Sequence, residues 1–176
     1  LQVNFQTASA DDLAALLDDA RFVVREKSID ALARRGDAAL RALSKALENE
    51  NVRTRRNAVW ALSRIGSESA RQLIRRRLAD PDASVQQAAI HAVGTLRDDH
   101  PQTVETLSQI LVAESLPSIA REAATALGQI GNPAAVPGIL KALRTDVDRV
   151  LEHALIYALI ELNDHNATKA GLASPS

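Results

Sequence analysis

The sequence has no cysteine, no methionine and very few aromatic side chains. Without cysteine there can be no disulfide, no thiolate metal site and no cysteine nucleophile. Aromatic residues reach only 2% while apolar residues reach 46%, so the core must be built from Ala, Val, Leu and Ile. Such side chains suit closely packed helices better than a β-sandwich. The composition therefore predicts an all-α protein.

A strong net charge and a long apolar run are missing as well. The formal net charge is −1, so no overall field steers the chain onto nucleic acid or a membrane. No apolar run approaches the roughly 18 residues that a membrane span needs, and no signal peptide is recognisable. We expect no membrane insertion. Because the chain begins with Leu1, we interpret it as a piece of a longer protein.

A ten-residue pattern recurs five times along the chain. The copies are KSIDALARRG (27–36), NAVWALSRIG (57–66), AAIHAVGTLR (88–97), EAATALGQIG (122–131) and ALIYALIELN (154–163). Their closing residues, at 36, 66, 97, 131 and 163, are 30 to 34 positions apart. Near-constant spacing of this kind indicates a repeat protein.

Each copy has the apolar pattern of a helix. Counted back from the closing residue, positions −8, −5, −4 and −1 form a stripe with the helical period. Position −5 is alanine in every copy, which lets a second helix approach closely: Ala31, Ala61, Ala92, Ala126 and Ala158. Glycine at the closing position, as at Gly36, Gly66 and Gly131, is typical of a helix that ends in a left-handed residue.

A second apolar helix is predicted after each closing turn, as at Leu40, Leu43 and Leu47. One helix pair buries only part of its apolar face, and stacking the pairs completes the core. The predicted fold is therefore an all-α, right-handed α-solenoid of about five antiparallel helix pairs. We assign residues 10–163 to it.

The two ends depart from this pattern. Residues 1–9 are predicted to be an extended segment or the end of a preceding domain, because LQVNFQ alternates like a strand. Ser9 is expected to cap an incomplete first repeat that contains Leu13, Leu16 and Leu17. Residues 164–176 are predicted to be a flexible tail.

The motif A-x-x-A-L-x-x-I-G at 58–66 and 123–131, together with the turn Ile130–Pro137, resembles HEAT repeats of the short, phycobilisome-lyase type. The resemblance covers roughly residues 10–163 and implies an α-solenoid, a fold that carries many functions. The segment from Leu17 to Gly66 also resembles the HEAT region of large secreted bacterial proteins that join a dehydrogenase-like propeller to a cytochrome c domain. That likeness implies a middle domain and a periplasmic or secreted location.

Trp60, the single tryptophan, lies at position −6, about 200° around the helix from the buried stripe. In HEAT proteins the first helices usually form the outer, convex wall. We therefore expect Trp60 to be largely exposed, with His91 beside it and Tyr157 in the same column. Trp60 either anchors a partner or lies flat over neighbours such as Arg56 and His91.

Residues 51–79 hold eight arginines and one acidic residue, Glu68. Helical geometry predicts a basic row on the second helices, which form the concave wall. The row consists of Arg41, Lys45, Gln72, Arg75 and Arg76, with Lys141 further on and Glu105 and Gln109 interrupting. One interpretation is that the row binds an anionic partner. The other is that its charges are simply solvated and that ion pairs form between repeats, such as Glu26 with Arg56.

No residues suggest catalysis, a cofactor or a metal site. The four histidines, at 91, 100, 153 and 165, form no HExxH motif. The repeated His–Glu pairs of HEAT-like di-iron hydroxylases are missing, since only Glu152-His153 occurs, in reversed order. The leading hypothesis is a non-catalytic scaffold that contacts a protein partner or a sister domain. The alternatives are a binder of nucleic acid or another anion through the basic row, although nucleic acid is not favoured, and a lyase-type subunit of an enzyme complex.

Overall fold

The helices begin and end at capping residues that the sequence supplies. The computed structural model describes residues 4–113 and 116–173, with side chains as far as residue 170. Ser9, Asn51, Ser67 and Asp148 each accept backbone N–H bonds at the start of a helix. All regular secondary structure in the described ranges is helical, which confirms the all-α prediction.

The described residues form eleven α-helices, with short 3₁₀ turns at Gly36–Ala39 and Pro133–Ala135. They are α1 (Ala10–Ala15), α2 (Phe22–Arg34), α3 (Leu40–Leu47), α4 (Val52–Ile65), α5 (Glu68–Arg75), α6 (Ala83–Thr95), α7 (Pro101–Ala113), α8 (Pro117–Ile130), α9 (Val136–Leu143), α10 (Arg149–Leu162) and α11 (His165–Ala173). Within these ranges every helix is too short or too polar to span a bilayer.

The helices belong to two compact units, Leu1–Ala92 and Val93–Ser176, whose boundary falls inside α6. In the first unit α2 packs against α4, and α3 packs against α4 and α5. In the second unit α8 packs against α10, and α9 packs against α7 and α11. Even-numbered helices are the first helices of the repeats and odd-numbered helices are the second helices. This packing is that of the predicted all-α solenoid.

The closing position has the same backbone conformation in all five copies. Glycine occupies it in three copies, and Arg97 and Asn163 occupy it in the other two with φ of 50°. The φ of the glycines lies between 57° and 74°. The −5 alanines are at most 3% exposed. Both regularities confirm the repeat register that the sequence predicts.

Both ends of the chain differ from the sequence-based expectation. Residues 1–3 of the strand-like hexamer lie outside the described residues, and Asn4 opens a turn in which its Oδ1 accepts from the N–H of Gln6 and Thr7 at 3.1 and 3.3 Å. Residues 165–173, which the sequence assigns to a flexible tail, form α11. Asp164 caps that helix by accepting from the N–H of Ala167 at 2.9 Å, and α11 packs on α9.

Candidate protein-interaction surfaces

Trp60 lies on the side of α4 away from the core, and the ring of His91 on α6 contacts it. The two ring centroids are 5.6 Å apart at an interplanar angle of 67°, an edge-to-face contact. Arg56, one turn earlier on α4, donates to Ser84 Oγ at 3.4 Å. Trp60 is half-buried and His91 is exposed. The expected neighbour is thus present, but the expectation of a largely exposed indole is wrong because the imidazole covers one side. We call Trp60, His91 and Arg56 the Trp60 surface.

Replacing His91 by alanine should red-shift the emission of Trp60 and increase its quenching by acrylamide, because the imidazole no longer covers the indole. The chain has a single tryptophan, so the signal has one source. Gln87→Ala, at an exposed position one turn earlier on α6, is the matched control and should change neither quantity. Equal quenching of the wild type and His91→Ala would show that the imidazole does not protect the indole.

The predicted basic row is less basic in the structure than in the sequence. Arg41 donates to Asp11 at 2.6 Å, and Arg75 donates to Glu68 at 2.7 Å. The side chain of Arg75 is only 8% exposed, so its prediction as an outward-facing residue is wrong. It folds back along α5 toward Glu68 instead of extending into solvent. The exposed members are Arg41, Lys45, Gln72 and Arg76.

Acidic residues of the first repeat pair with arginines of the second. Arg64 on α4 donates to both Asp30 and Glu26 on α2, with a distance of 3.3 Å to Glu26. The expected Glu26–Arg56 pair is therefore wrong: Glu26 and Asp30 lie one turn apart, and the Arg64 guanidinium bonds to both. Arg77 donates to Glu48 at 2.6 Å.

A buried ion pair joins α4 to the loop before α6. Arg55 Nε and Nη2 donate to the two carboxylate oxygens of Asp80 at 3.1 and 3.0 Å. The Asp80 side chain is fully buried and that of Arg55 is 11% exposed. The hydrogen bond to Asp80 raises the pKa of Arg55. Arg77 Nη1 lies 3.6 Å from the same carboxylate. Sequence reasoning missed this cluster, because Asp80 reads simply as a loop residue before a proline.

Two grooves lie in the second unit. One, of about 630 Å³, runs between α7 and α9 and is lined by Glu105, Gln109 and Lys141 together with apolar side chains. The other, of about 490 Å³, lies between α10 and α11. Tyr157, predicted to share a surface column with Trp60, is 54% exposed on α10.

In the described ranges, no three His, Cys, Asp or Glu side chains lie close enough to hold a metal ion. His100 Nδ1 accepts from the N–H of Gln102 at 3.2 Å, and the buried Asp98 accepts from the Thr103 hydroxyl at 2.7 Å. Both contacts belong to the turn that starts α7, so they stabilise the fold locally.

A family model described as HEAT repeats matches residues 10–94 and 75–160. The chain belongs to the HEAT-repeat family. The match covers the five repeats almost completely, in agreement with the motif at 58–66 and 123–131. The likeness to secreted dehydrogenase–cytochrome proteins stays a prediction.

Phycocyanin-related proteins are among those similar to this HEAT-repeat chain. It is 29% identical over 148 residues to the uncharacterized phycocyanin operon protein Y of Pseudanabaena tenuis (strain PCC 7409), covering 83% of the chain and 34% of that relative. The chain thus spans about a third of the length of the relative.

Solved structures share the fold. The complex of CpcE and CpcF of phycocyanin lyase from Nostoc sp. PCC7120 matches with a TM-score of 0.71 at 19% identity, covering 85% of this chain and 96% of that one. Human deoxyhypusine hydroxylase matches with a TM-score of 0.60 at 23% identity, covering 87% and 62%. At such identities the likeness concerns the fold alone.

Proposed function

We propose that the chain is a non-catalytic HEAT-repeat scaffold whose Trp60 surface contacts a protein partner or a sister domain of the same polypeptide. The observation that carries this proposal is the edge-to-face contact of Trp60 with the exposed His91. The contact holds the indole in one orientation while part of it stays accessible. An aromatic side chain held in this way loses little freedom on binding, and tryptophan is among the residues that dominate interface energies.

The contacts between the first two repeats also support a binding role. Arginine side chains of the second repeat pair with Glu26, Asp30 and Glu48 of the first repeat, and these pairs join the two repeats of the first unit. The remaining predicted contact residues are Tyr157, Arg41, Lys45, Gln72, Arg75 and Arg76. We keep them as predictions of secondary weight, because the ring contact that carries the proposal is the one between Trp60 and His91.

The test begins by finding the partner. A photo-reactive residue at the exposed Gln87, one turn from His91, should crosslink a protein in cells of the source organism. The same residue at Thr125, an exposed −6 position in the second unit, should not. Trp60→Ala should then weaken binding of the purified partner by roughly 30-fold, as expected when a central interface tryptophan is truncated. Thr125→Ala is the control. Unchanged affinity of Trp60→Ala would show that the surface is wrongly assigned.

A second candidate function is that of a lyase-type subunit in an enzyme complex. It is favoured by the TM-score of 0.71 with the CpcE–CpcF complex and by the phycocyanin operon relative. Under this hypothesis the chain should bind CpcF of Nostoc sp. PCC7120 in an isothermal titration. Bovine serum albumin is the control for non-specific association. Absence of heat at micromolar concentrations would count against this role.

Binding of nucleic acid through the basic row is the less supported alternative. Arg41 and Arg75 already pair with carboxylates, which leaves Lys45 and Arg76 as the row's cations without an ion-pair partner among the described residues. Phosphate backbones are bound by clusters of cations, and affinity grows with the number of phosphates neutralised. Two cations provide little of that attraction.

A further inference from the structure

Helices α4 and α6, which form the Trp60 surface, contain neither aspartate nor glutamate. On each of them, the residues at −13, −10, −6 and −2 from the closing residue follow one side of the helix, and none of them is buried. In α4 these are Arg53, Arg56, Trp60 and Arg64, and in α6 they are Ser84, Gln87, His91 and Thr95. The cations on this side of α4 can therefore meet a carboxylate only from outside the two helices.

The acidic residues around the Trp60 surface are already bonded to other groups. Glu26 and Asp30 on α2 both accept from Arg64. In the loop before α6, Asp82 accepts from the N–H and the hydroxyl of Ser84 at 2.9 and 2.6 Å. At 3.4 Å, the Arg56 guanidinium therefore meets the Ser84 hydroxyl and not the carboxylate behind it.

Arg53 and Arg56 are thus left without a carboxylate partner among the described residues. Other arginines of residues 51–79 do pair with a carboxylate, namely Arg55, Arg64, Arg75 and Arg77. Arg56 precedes Trp60 by one turn and Arg53 precedes it by two, which is about 6 and 10 Å along the axis and within a sector of roughly 60°. The surface is therefore apolar at the indole and positively charged toward the start of α4.

We propose that the Trp60 surface, extended by Arg53, binds a protein segment in which an acidic side chain lies beside an apolar one. The apolar side chain packs on the indole, and the carboxylate accepts from the Arg56 guanidinium, whose planar fork matches a carboxylate. Charge complementarity of this kind steers the encounter and fixes the orientation of the partner. This inference rests on the proposed function and adds to it the chemistry of the partner.

A phosphate backbone could pair with the same two arginines, but the neighbouring charges favour a protein segment. Beside Trp60, two carboxylates, Glu26 and Asp30, share the single guanidinium of Arg64, which leaves a net negative charge there. A nucleic acid carries a negative charge on every nucleotide, so its backbone would be repelled as it continued past the indole. A protein segment needs only one carboxylate, at Arg56.

Selection of a phage-displayed library of random peptides on the full chain tests the proposal. Phage that also bind the Trp60→Ala variant are discarded, so that the remaining peptides depend on the indole. These peptides should carry an aspartate or glutamate within one helical turn of an apolar residue. In fluorescence anisotropy, a labelled enriched peptide should bind about tenfold more weakly to Arg56→Gln, which removes the charge. Raising the salt from about 0.1 to about 1 M, which shortens the Debye length from about 10 to about 3 Å, should also weaken binding severalfold.

Arg76→Gln is the matched control, because Arg76 is an exposed arginine at the end of α5 that also has no ion-pair partner among the described residues. It should leave the affinity within about twofold, as for a surface site outside the contact. Equal weakening by Arg76→Gln and Arg56→Gln would show that binding follows the net charge and would overturn the inference.

The other outcomes separate this inference from the proposed function. Peptides that depend on Trp60 but lack acidic residues, or that bind wild type and Arg56→Gln equally, would overturn the acidic partner and leave the scaffold proposal standing. Absence of any Trp60-dependent peptide would count against the Trp60 surface itself and so against both proposals. A labelled oligodeoxythymidylate that binds through Arg56 as tightly as the peptides would assign the surface to nucleic acid and overturn the inference.

Discussion

Replacing Asp80 by alanine should lower the free energy of unfolding by about 3–5 kcal/mol, the usual cost of removing one partner of a buried ion pair. The Asp80 carboxylate accepts both Arg55 bonds and is fully buried. Its removal takes away both hydrogen-bonded carboxylate oxygens of the Arg55 guanidinium, which then has only the charges of Asp82 and Glu48 to compensate it. It also frees the N–H of Asp82, which donates to Asp80 Oδ1 at 3.0 Å, so the loop before α6 loses its anchor.

Urea unfolding followed by far-UV circular dichroism measures this loss. The control is Asp11→Ala, which removes the partner of Arg41 in an exposed pair whose side chains are 84 and 51% accessible. Exposed pairs contribute about 0–1 kcal/mol, so this variant should unfold close to the wild type. If Asp80→Ala and Asp11→Ala proved equally stable, burial would not be the reason the Arg55–Asp80 pair matters.

Replacing Gly94 by valine should lower the unfolding free energy by about 2–3 kcal/mol, the cost of overpacking a close helix contact. A Cβ at Gly94 would lie 2.6 Å from Gln129 Oε1 and 2.9 Å from both Cα and Cβ of Ala126. The Gln129 side chain can move, but the Ala126 backbone moves only with α8. The higher helix propensity of valine than of glycine, only about 0.3 kcal/mol, offsets a small part of the clash.

Thr95→Val is the control for Gly94→Val. Thr95 is the next residue of the same helix and is exposed, so the new side chain meets solvent. Its unfolding free energy should stay within about 0.5 kcal/mol of the wild type, as for most surface substitutions. The same urea experiment serves both variants. A stable Gly94→Val variant would contradict the close approach of α6 and α8 at this residue.

The repeat register was predictable because it depends on short-range chemistry. A small residue at −5 and a left-handed residue at the closing position are local requirements of a helix pair. The sequence therefore located the first helices and the buried alanines. It missed α11 because that helix lacks a strong apolar stripe; its start is marked only by Asn163 and the cap Asp164.

The sequence predicted on which side of a helix each candidate side chain lies, but not how much of that side chain is exposed to solvent. Helical geometry placed Trp60 and Arg75 on the sides of their helices that face away from the core. In the structure Trp60 is half-buried beside His91, and Arg75 folds back toward Glu68. Burial of a long side chain depends on which neighbour it reaches, and that is decided between helices. For the same reason the Arg55–Asp80 pair could not be predicted from the loop sequence Asp80-Pro81, because its partner lies on another helix.

The left-handed closing residue has a consequence for how such a chain can change its length in evolution. Glycine, arginine and asparagine all adopt the left-handed backbone conformation at this position, with φ between 50° and 74°. Each repeat therefore turns back at the same point whatever the side chain. A duplication or deletion that cuts after one closing residue and rejoins after another removes or adds a whole helix pair, and every remaining turn keeps its place. The gene can grow or shrink in units of one repeat without a new kind of junction being selected first.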